Sequence, residues 1–286
     1  MNIEQLATRL CAISRDNYAN PYAELNWPES LDEDAWYMSP ELISLYGTDD
    51  YAQLDDAQRK RLSFFETLNF FSLNIHGEKY VVEGLSQRIF SDRNAGLTDY
   101  MQHFLDEENK HMVYFGGFCN RYGKIYPPRT FKVPRDCADS GEEEFLFFTK
   151  VLIFEDIVDL YNTYVATDER VAPLARQINH LHHVDEARHL AFGRARVQDL
   201  YEKNSPRWSA SRRKRIVDYV FAYLESLWRE YYNPVSYGDA GLRQPYAVMR
   251  RALANPHCRR HRQRMAQRCM SFMQDLDLDW GRDSHV

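Results

Sequence analysis

The motif Glu-x-x-His occurs twice in the sequence, as Glu108–His111 in EENKH and as Glu186–His189 in DEARH. Residues three apart on a helix lie about 60° apart around its axis, so both side chains of a pair can reach one metal ion beside the helix. One such pair is expected by chance in a chain of this length. Two pairs, on alternate predicted long helices, indicate a metal site shared between those helices.

Helical patterns run through nearly the whole chain. Only 12 glycines and 11 prolines interrupt 286 residues, and no stretch alternates convincingly as a strand. Four long helices are predicted at about 55–90, 98–123, 142–166 and 171–202, and the first begins with a capping box of Asp55 and Gln58. Further helices are predicted at the N-terminus, at 209–232 and at 245–275, and residues 124–141 are predicted to form a loop. The expected fold is all-α, a four-helix bundle with additional N- and C-terminal helices.

Composition favours a single domain with one large core. Hydrophobic residues make up 44% of the chain and aromatic residues 14%. We expect one domain over 1–286, with a bundle core at about 54–202 and C-terminal helices at about 209–275. The net charge of −6 gives no reason to expect a nucleic-acid or membrane partner. Five scattered cysteines, no signal peptide and no apolar run long enough to span a bilayer predict a cytoplasmic location.

A two-metal site in a bundle also needs one carboxylate from each of the other two helices. On the third predicted helix Glu155 is surrounded by apolar residues, where burying a charge costs several kcal/mol unless it is paired or bound to metal. The alternative is that Glu155 lies on a narrow polar seam with the acids that follow it on the helix. On the first helix the candidates are Glu78 and Glu83, which lie about 140° apart, so only one can face the site. Glu78 is favoured because its distance from Glu108 allows the chain to return to the same level of the bundle.

His182 is a candidate third histidine ligand. It precedes Glu186 by four residues and His189 by seven, which places all three on one helix face, whereas His183 and His180 are less well placed. Seven residues rise about 10.5 Å, which is a long reach for two ligands of neighbouring metals. The alternative is that His182 is only hydrogen-bonded or exposed.

The acid just before each ligand glutamate has a predicted supporting role. Metal-bound imidazoles usually donate their second N–H to a carboxylate. Glu107 and Asp185 are each placed to accept this hydrogen bond from the histidine of the opposite helix. The alternative is that both are ordinary surface acids.

This residue set resembles a known family. Carboxylates combined with imidazoles around two ions favour iron or manganese over zinc or calcium. The motifs EENKH and HHVDEARH, together with Glu155, make the sequence similar to the ferritin-like di-iron carboxylate proteins. Within them it resembles the p-aminobenzoate N-oxygenase (AurF-like) family, whose members carry a third histidine four residues before the last Glu-x-x-His. The resemblance covers residues 70 to 195.

The resemblance implies a ferritin-like fold and a di-iron oxygenase that uses O2 and an external electron donor protein. Its substrate would be a small-molecule amine, free or carried on a protein, oxidised to a hydroxylamine and in some members onward to nitroso or nitro. No separate acid or base would be needed. The implied iron ligands are Glu78, Glu108, His111, Glu155, His182, Glu186 and His189.

Four other functions are also compatible with these motifs. A di-iron carbon hydroxylase or oxidase would have almost the same metal site. A ferritin-like iron store or metal oxidase would need no substrate pocket. A radical-generating reductase subunit would need a tyrosine one turn after the first histidine, where this chain has Phe115 with Tyr114 one residue off register. The fourth alternative is a helical interaction protein that binds no metal.

A basic stretch lies near the C-terminus. Residues 243–270 contain eight arginines and no acid. Arg259, Arg260 and Arg262 are candidates for docking an acidic electron donor or carrier protein. Alternatively the arginines pair with the chain's own acids. The sequence is also compatible with a homodimer.

Overall fold

Helices dominate residues 1–128 and 140–278, which are the part of the chain described by the computed structural model. The helices are α1 (Ile3–Asp16), α2 (Asp49–Ala52), α3 (Asp56–Ser86), α4 (Thr98–Tyr122), α5 (Ser140–Thr167), α6 (Pro173–Asn204), α7 (Ala210–Tyr231), α8 (Pro234–Asp239), α9 (Pro245–Ala254) and α10 (Pro256–Asp275). In these residues the only β-type pairing is an isolated bridge between Trp36 and Val171. The predicted all-α class is confirmed.

Helices α3 to α6 form the four-helix bundle. Helix α3 packs along α4 and α5 along α6, each pair antiparallel, and these are the two most extensive helix contacts. Helix α1 covers α4 and α6, α7 lies against α3 and α5, and α10 lies against α5. The bundle core and the extra helices at both ends therefore agree with the sequence prediction.

Local sequence signals set most helix ends. The capping box of Asp55 and Gln58 begins α3, as predicted. Pro173 occupies the first turn of α6, where its missing N–H costs no hydrogen bond. The prediction is wrong for 245–275, which forms two helices: Asn255 ends α9 and caps α10, and Pro256 stands at the start of α10. The predicted end of the first long helix near 90 is also wrong, since α3 ends at Ser86.

The short helices α2 and α8 were not predicted from the sequence. The short helix α8 follows Asn233, whose side chain accepts a hydrogen bond from Val235 N–H.

Part of the predicted loop at 124–141 lies outside the described residues, namely 129–139, which include Cys137. The other four cysteines are buried and free. Among the described residues no helix combines the length and apolarity that a bilayer crossing requires.

The arginine-rich C-terminal helices are attached to the bundle by ion pairs. Arg268 donates to Asp156 Oδ1 at 2.8 Å, and Asp156 is fully buried on α5 beside Glu155. Arg262 is only 5% exposed and donates to Tyr232 Oη at 3.1 Å. The prediction of a docking role is therefore wrong for Arg262, since a buried guanidinium cannot contact a partner. Arg260 is exposed and Arg259 is half-buried, so docking stays a prediction for these two.

Candidate metal centre

Seven acidic and histidine side chains meet in the interior of the bundle. They come from all four bundle helices, and each is at most 1% exposed. Helix α3 contributes one, α4 two, α5 one and α6 three. They are Glu78, Glu108, His111, Glu155, His182, Glu186 and His189, which is the set that the sequence motifs single out.

The side chains lie close enough to share metal ions. Their ligand atoms fall into three groups, and within each group the atoms lie within 4.8 Å of one another. The groups are Glu108, His111, Glu186 and His189; Glu78, His111 and His182; and Glu155, His182 and Glu186. Because the groups share members, the arrangement suits two neighbouring ions rather than one.

Glu186 lies at the centre of the histidines. Its Oε1 is 3.0 Å from His182 Nε2, 3.3 Å from His189 Nδ1 and 3.8 Å from His111 Nδ1. The side chains of His182 and His189 therefore span the long rise between them, because they converge on Glu186 from opposite directions along α6.

On α3 the structure separates the two candidate glutamates. Glu78 is completely buried, and its Oε1 lies 3.3 Å from His182 Nε2 and 4.0 Å from His111 Nδ1. Glu83 is exposed on the other side of the helix. Of the two, Glu78 is therefore the residue that reaches the cluster.

Unpartnered polar atoms show that the cluster fits a metal. Both carboxylate oxygens of Glu78, Glu108 and Glu155 are buried without a hydrogen-bond partner, as are His111 Nδ1 and His182 Nε2. Burying a carboxylate without compensating charge costs several kcal/mol, so the four carboxylates of the whole cluster need positive charge between them. Hard oxygen donors with imidazole nitrogens are the ligands of iron and manganese. The residues present therefore fit a two-metal centre.

Burial strongly shifts the titration of the acids when no metal is bound. It raises the pKa of Glu78 and of Glu155 well above the ordinary carboxyl value, since there is little to stabilise their charge. Burial would also raise the pKa of Glu186, but the positive charges of His182 and His189, together with hydrogen bonds, outweigh it and hold that pKa well below the usual range. In the absence of metal, protons take the place of the missing positive charge.

The histidines respond to the same charges. Burial lowers the pKa of His111 to about 3. For His182 burial also lowers the pKa, but the charges and hydrogen bonds of the neighbouring carboxylates, with Glu186 the largest contributor, together outweigh it and raise the pKa to about 10. The pKa of His189 is likewise raised well above its ordinary value, because its neighbouring carboxylates together outweigh burial.

Each histidine of the two Glu-x-x-His pairs contacts an acid of the opposite helix through its second nitrogen. His111 Nε2 lies 3.1 Å from Asp185 Oδ2, and His189 Nε2 lies 2.9 Å from Glu107 Oε2. Both acids are almost fully buried. These contacts fix the ring orientation and direct Nδ1 of each ring into the cluster.

Two buried cations that the sequence reasoning missed neutralise these acids. Lys110 Nζ lies 2.5 Å from Asp185 Oδ2, and Arg188 donates to both Glu107 and Asp185. The sequence contains a pattern that could have identified these two cations. Both motifs have the form acid-Glu-x-base-His, as EENKH and DEARH. The acid and the base are three apart and share a helix face, which points behind the ligands.

Aromatic rings enclose the histidines. The Phe104 ring stacks on His189 with centroids 3.9 Å apart, and the Phe115 ring stands edge-on to His182 at 5.0 Å. The position one turn after His111 thus carries a phenylalanine packed on a candidate ligand. This position has no phenol for the radical that a reductase subunit stores there.

The helical bundle and its buried glutamate and histidine groups define a ferritin-like di-metal carboxylate protein. The chain belongs to the p-aminobenzoate N-oxygenase AurF family, whose sequence model matches residues 1–277. The match extends well beyond the bundle core from which the resemblance was inferred. No curated protein sequence matches the chain.

Solved structures with a similar fold include R2-like ligand-binding oxidases. One, from Sulfolobus acidocaldarius, has a TM-score of 0.53 and 15% identity over 95% of this chain and 90% of the other. A variant of such an oxidase with an anaerobically reconstituted Mn/Fe cofactor has a TM-score of 0.53 and 14% identity, covering 98% and 95%. At this identity the likeness establishes the shared fold.

Proposed function

We propose that this protein is a non-haem di-iron oxygenase that oxidises the nitrogen of an organic amine to a hydroxylamine. The observation that carries the proposal is His182, which joins the two Glu-x-x-His pairs in one buried cluster in a chain whose family is that of p-aminobenzoate N-oxygenase. Bound iron would supply the activation of O2. One oxygen atom enters the N–H bond, and the other leaves as water with two electrons and two protons from an external donor.

The protein's own residues would hold the metals and keep water away. The seven buried side chains would hold the ions, with four carboxylates offsetting their charge. Glu107 and Asp185 orient two of the imidazoles through the contacts described above. The rings of Phe104 and Phe115 exclude solvent from the histidine side of the cluster.

A cavity beside the cluster supports an organic substrate rather than iron storage. It has a volume of about 270 Å³ and lies between α3, α5 and α7, with mostly apolar and aromatic walls. Gly77 and Phe154 line it, and each directly precedes a cluster residue, Glu78 or Glu155. The cavity therefore borders the stretches of α3 and α5 that carry these two carboxylates, although neighbouring residues of a helix point about 100° apart.

Phe154 forms the wall between this cavity and the bundle interior. Its ring packs directly on Gly77, where a Cβ would collide with it. Tyr223 lines the cavity from α7, and burial raises its pKa well above the ordinary value.

The proposal is tested by metal analysis followed by turnover. Protein from iron-supplemented cells is expected to contain about two irons per chain. The reduced protein is then offered aryl and alkyl amines under O2, and the products are identified by mass. Hydroxylamine, nitroso or nitro products support the proposal. Carbon-hydroxylated products would replace it with the carbon hydroxylase reading, and iron-free protein would end the di-iron reading.

Removing the Phe154 ring is expected to change which amines are accepted. Phe154→Ala should retain two irons but turn over bulkier amines and raise KM for small ones, because the cavity then opens toward Glu78 and Glu155. A buried Phe→Ala change costs about 3–5 kcal/mol of stability, which thermal unfolding checks.

Phe147→Ala provides the matched control. Phe147 packs on Gly84 in the same manner, two turns along both helices, but it does not line the cavity. It should cost similar stability and leave the substrate preference unchanged. Equal shifts in substrate preference for both variants would contradict the role of Phe154 as the cavity wall.

A further inference from the structure

His182 differs from the other two histidines in the partner of its second nitrogen. Its Nε2 faces Glu78 and Glu186, and its Nδ1 contacts the side-chain amide of Asn162 on α5. Asn162 is fully buried, and its Oδ1 has no hydrogen-bond partner. His111 and His189 contact carboxylates at the equivalent place. The third histidine is therefore supported by a neutral amide.

The amide can serve either tautomer of His182. When Nε2 carries the proton, Nδ1 has a lone pair and accepts a hydrogen bond from Asn162 Nδ2. When Nε2 presents its lone pair to a metal, Nδ1 carries the proton and needs an acceptor. Rotating the carboxamide by 180° exchanges its oxygen and nitrogen, whose assignment rests on the hydrogen-bond network. Asn162 Oδ1 then accepts from His182 Nδ1.

We propose that Asn162 is the positioning residue of the third histidine, holding His182 with Nε2 directed at the metals through a hydrogen bond from Nδ1 to Asn162 Oδ1. This proposal rests on the di-metal centre proposed above. The residue acts through His182 and itself binds neither metal nor substrate.

Charge explains why an amide suits this place. The acids behind His111 and His189 are offset by the buried cations Lys110 and Arg188. A carboxylate at position 162 would add one more negative charge to an interior that already holds the four carboxylates of the cluster. An amide orients the ring without this cost. It also leaves His182 a weaker electron donor than a carboxylate-bonded imidazole.

Two substitutions separate hydrogen bonding from packing. Asn162→Leu keeps approximately the volume and removes both polar atoms, whereas Asn162→Asp keeps an acceptor for Nδ1–H. Thr163→Val is the matched control, since Thr163 is the next residue on α5 and lies 3.3 Å from Nδ1 of His183, which is not in the cluster. Each protein is stripped of metal, titrated with ferrous iron without oxygen, and examined by Mössbauer spectroscopy.

The Leu variant is expected to bind one of the two irons about 10- to 100-fold more weakly, as is typical when a partner behind a ligand is lost. Its spectrum should change for one iron only. The Asp variant should retain both irons, and Thr163→Val should match the wild type. If Asn162→Leu does not fold, as judged by thermal unfolding, Asn162→Ala gives the same comparison without forcing methyl groups into the site.

Wild-type affinity and spectrum in the Leu or Ala variant would overturn the role of Asn162 while leaving the metal centre intact. Equal loss in the Asp and Leu variants would overturn it as well, because an acceptor oxygen would then make no difference. Failure of the wild-type protein itself to bind two irons would instead refute the metal centre, and the positioning role with it.

Discussion

Glu78→Gln is expected to lose most of the bound iron and all measurable oxygenase activity, whereas Glu83→Gln, five residues further on the same helix, should retain both. Glu78 is completely buried, with both carboxylate oxygens unpartnered and Oε1 3.3 Å from His182 Nε2. An amide keeps the volume but removes the negative charge that a metal ion requires. The loss in iron affinity should exceed the about 10- to 100-fold that removal of an outer partner causes.

The same substitution should not destabilise the metal-free protein. Burial raises the pKa of Glu78 well above its ordinary value, so an ionised Glu78 is a cost to the metal-free fold that glutamine does not carry. Metal-free Glu78→Gln is therefore expected to unfold at the wild-type temperature or higher. Iron content by mass spectrometry and thermal unfolding of stripped protein are the two measurements. Retained iron, or iron loss in Glu83→Gln, would contradict the assignment of Glu78.

The sequence was most informative where one helix determines the geometry. Glu108 and His111, or Glu186 and His189, share a face because of the helical repeat alone, so their convergence needed only the correct bundle. The choice of Glu78 over Glu83 also followed from helix periodicity once the level of the bundle was estimated. These positions depend on local geometry and short loops, which sequence patterns report well.

Features that depend on packing between distant segments were not accessible from sequence. The cavity depends on the Phe154 ring lying over Gly77, a contact between α3 and α5 that no periodicity specifies. Arg262 belongs to a basic run that resembles a solvated surface, yet it is buried against Tyr232 because α10 packs onto the bundle. Helical patterns continue on both sides of Pro256, so periodicity alone predicts one helix where the structure has α9 and α10.

The stability of the metal-free protein is expected to fall as the pH rises from about 7 to about 9.5. The carboxylates around His182, Glu186 above all, together raise its pKa to about 10 against the effect of burial, and carboxylates also raise the pKa of His189. Burial raises the pKa values of Glu78 and Glu155. The folded metal-free protein thus holds protons that the unfolded chain has already released, so stability decreases with pH in this range. Groups with lowered pKa, such as His111 at about 3, act in the opposite direction but only in acid.

Iron should abolish the part of this dependence that comes from the cluster, because the ions replace the protons between the same ligand atoms. Unfolding free energies from urea titrations of stripped and iron-loaded protein, compared from pH 7 to about 9.5, isolate the cluster, since other titrating groups contribute equally to both. At about 1.4 kcal/mol per pKa unit and group, the difference between the two forms should widen by a few kcal/mol. Parallel curves would mean that the cluster carries no extra protons without metal. The positive charge that its four buried carboxylates require would then have to come from elsewhere than the histidines.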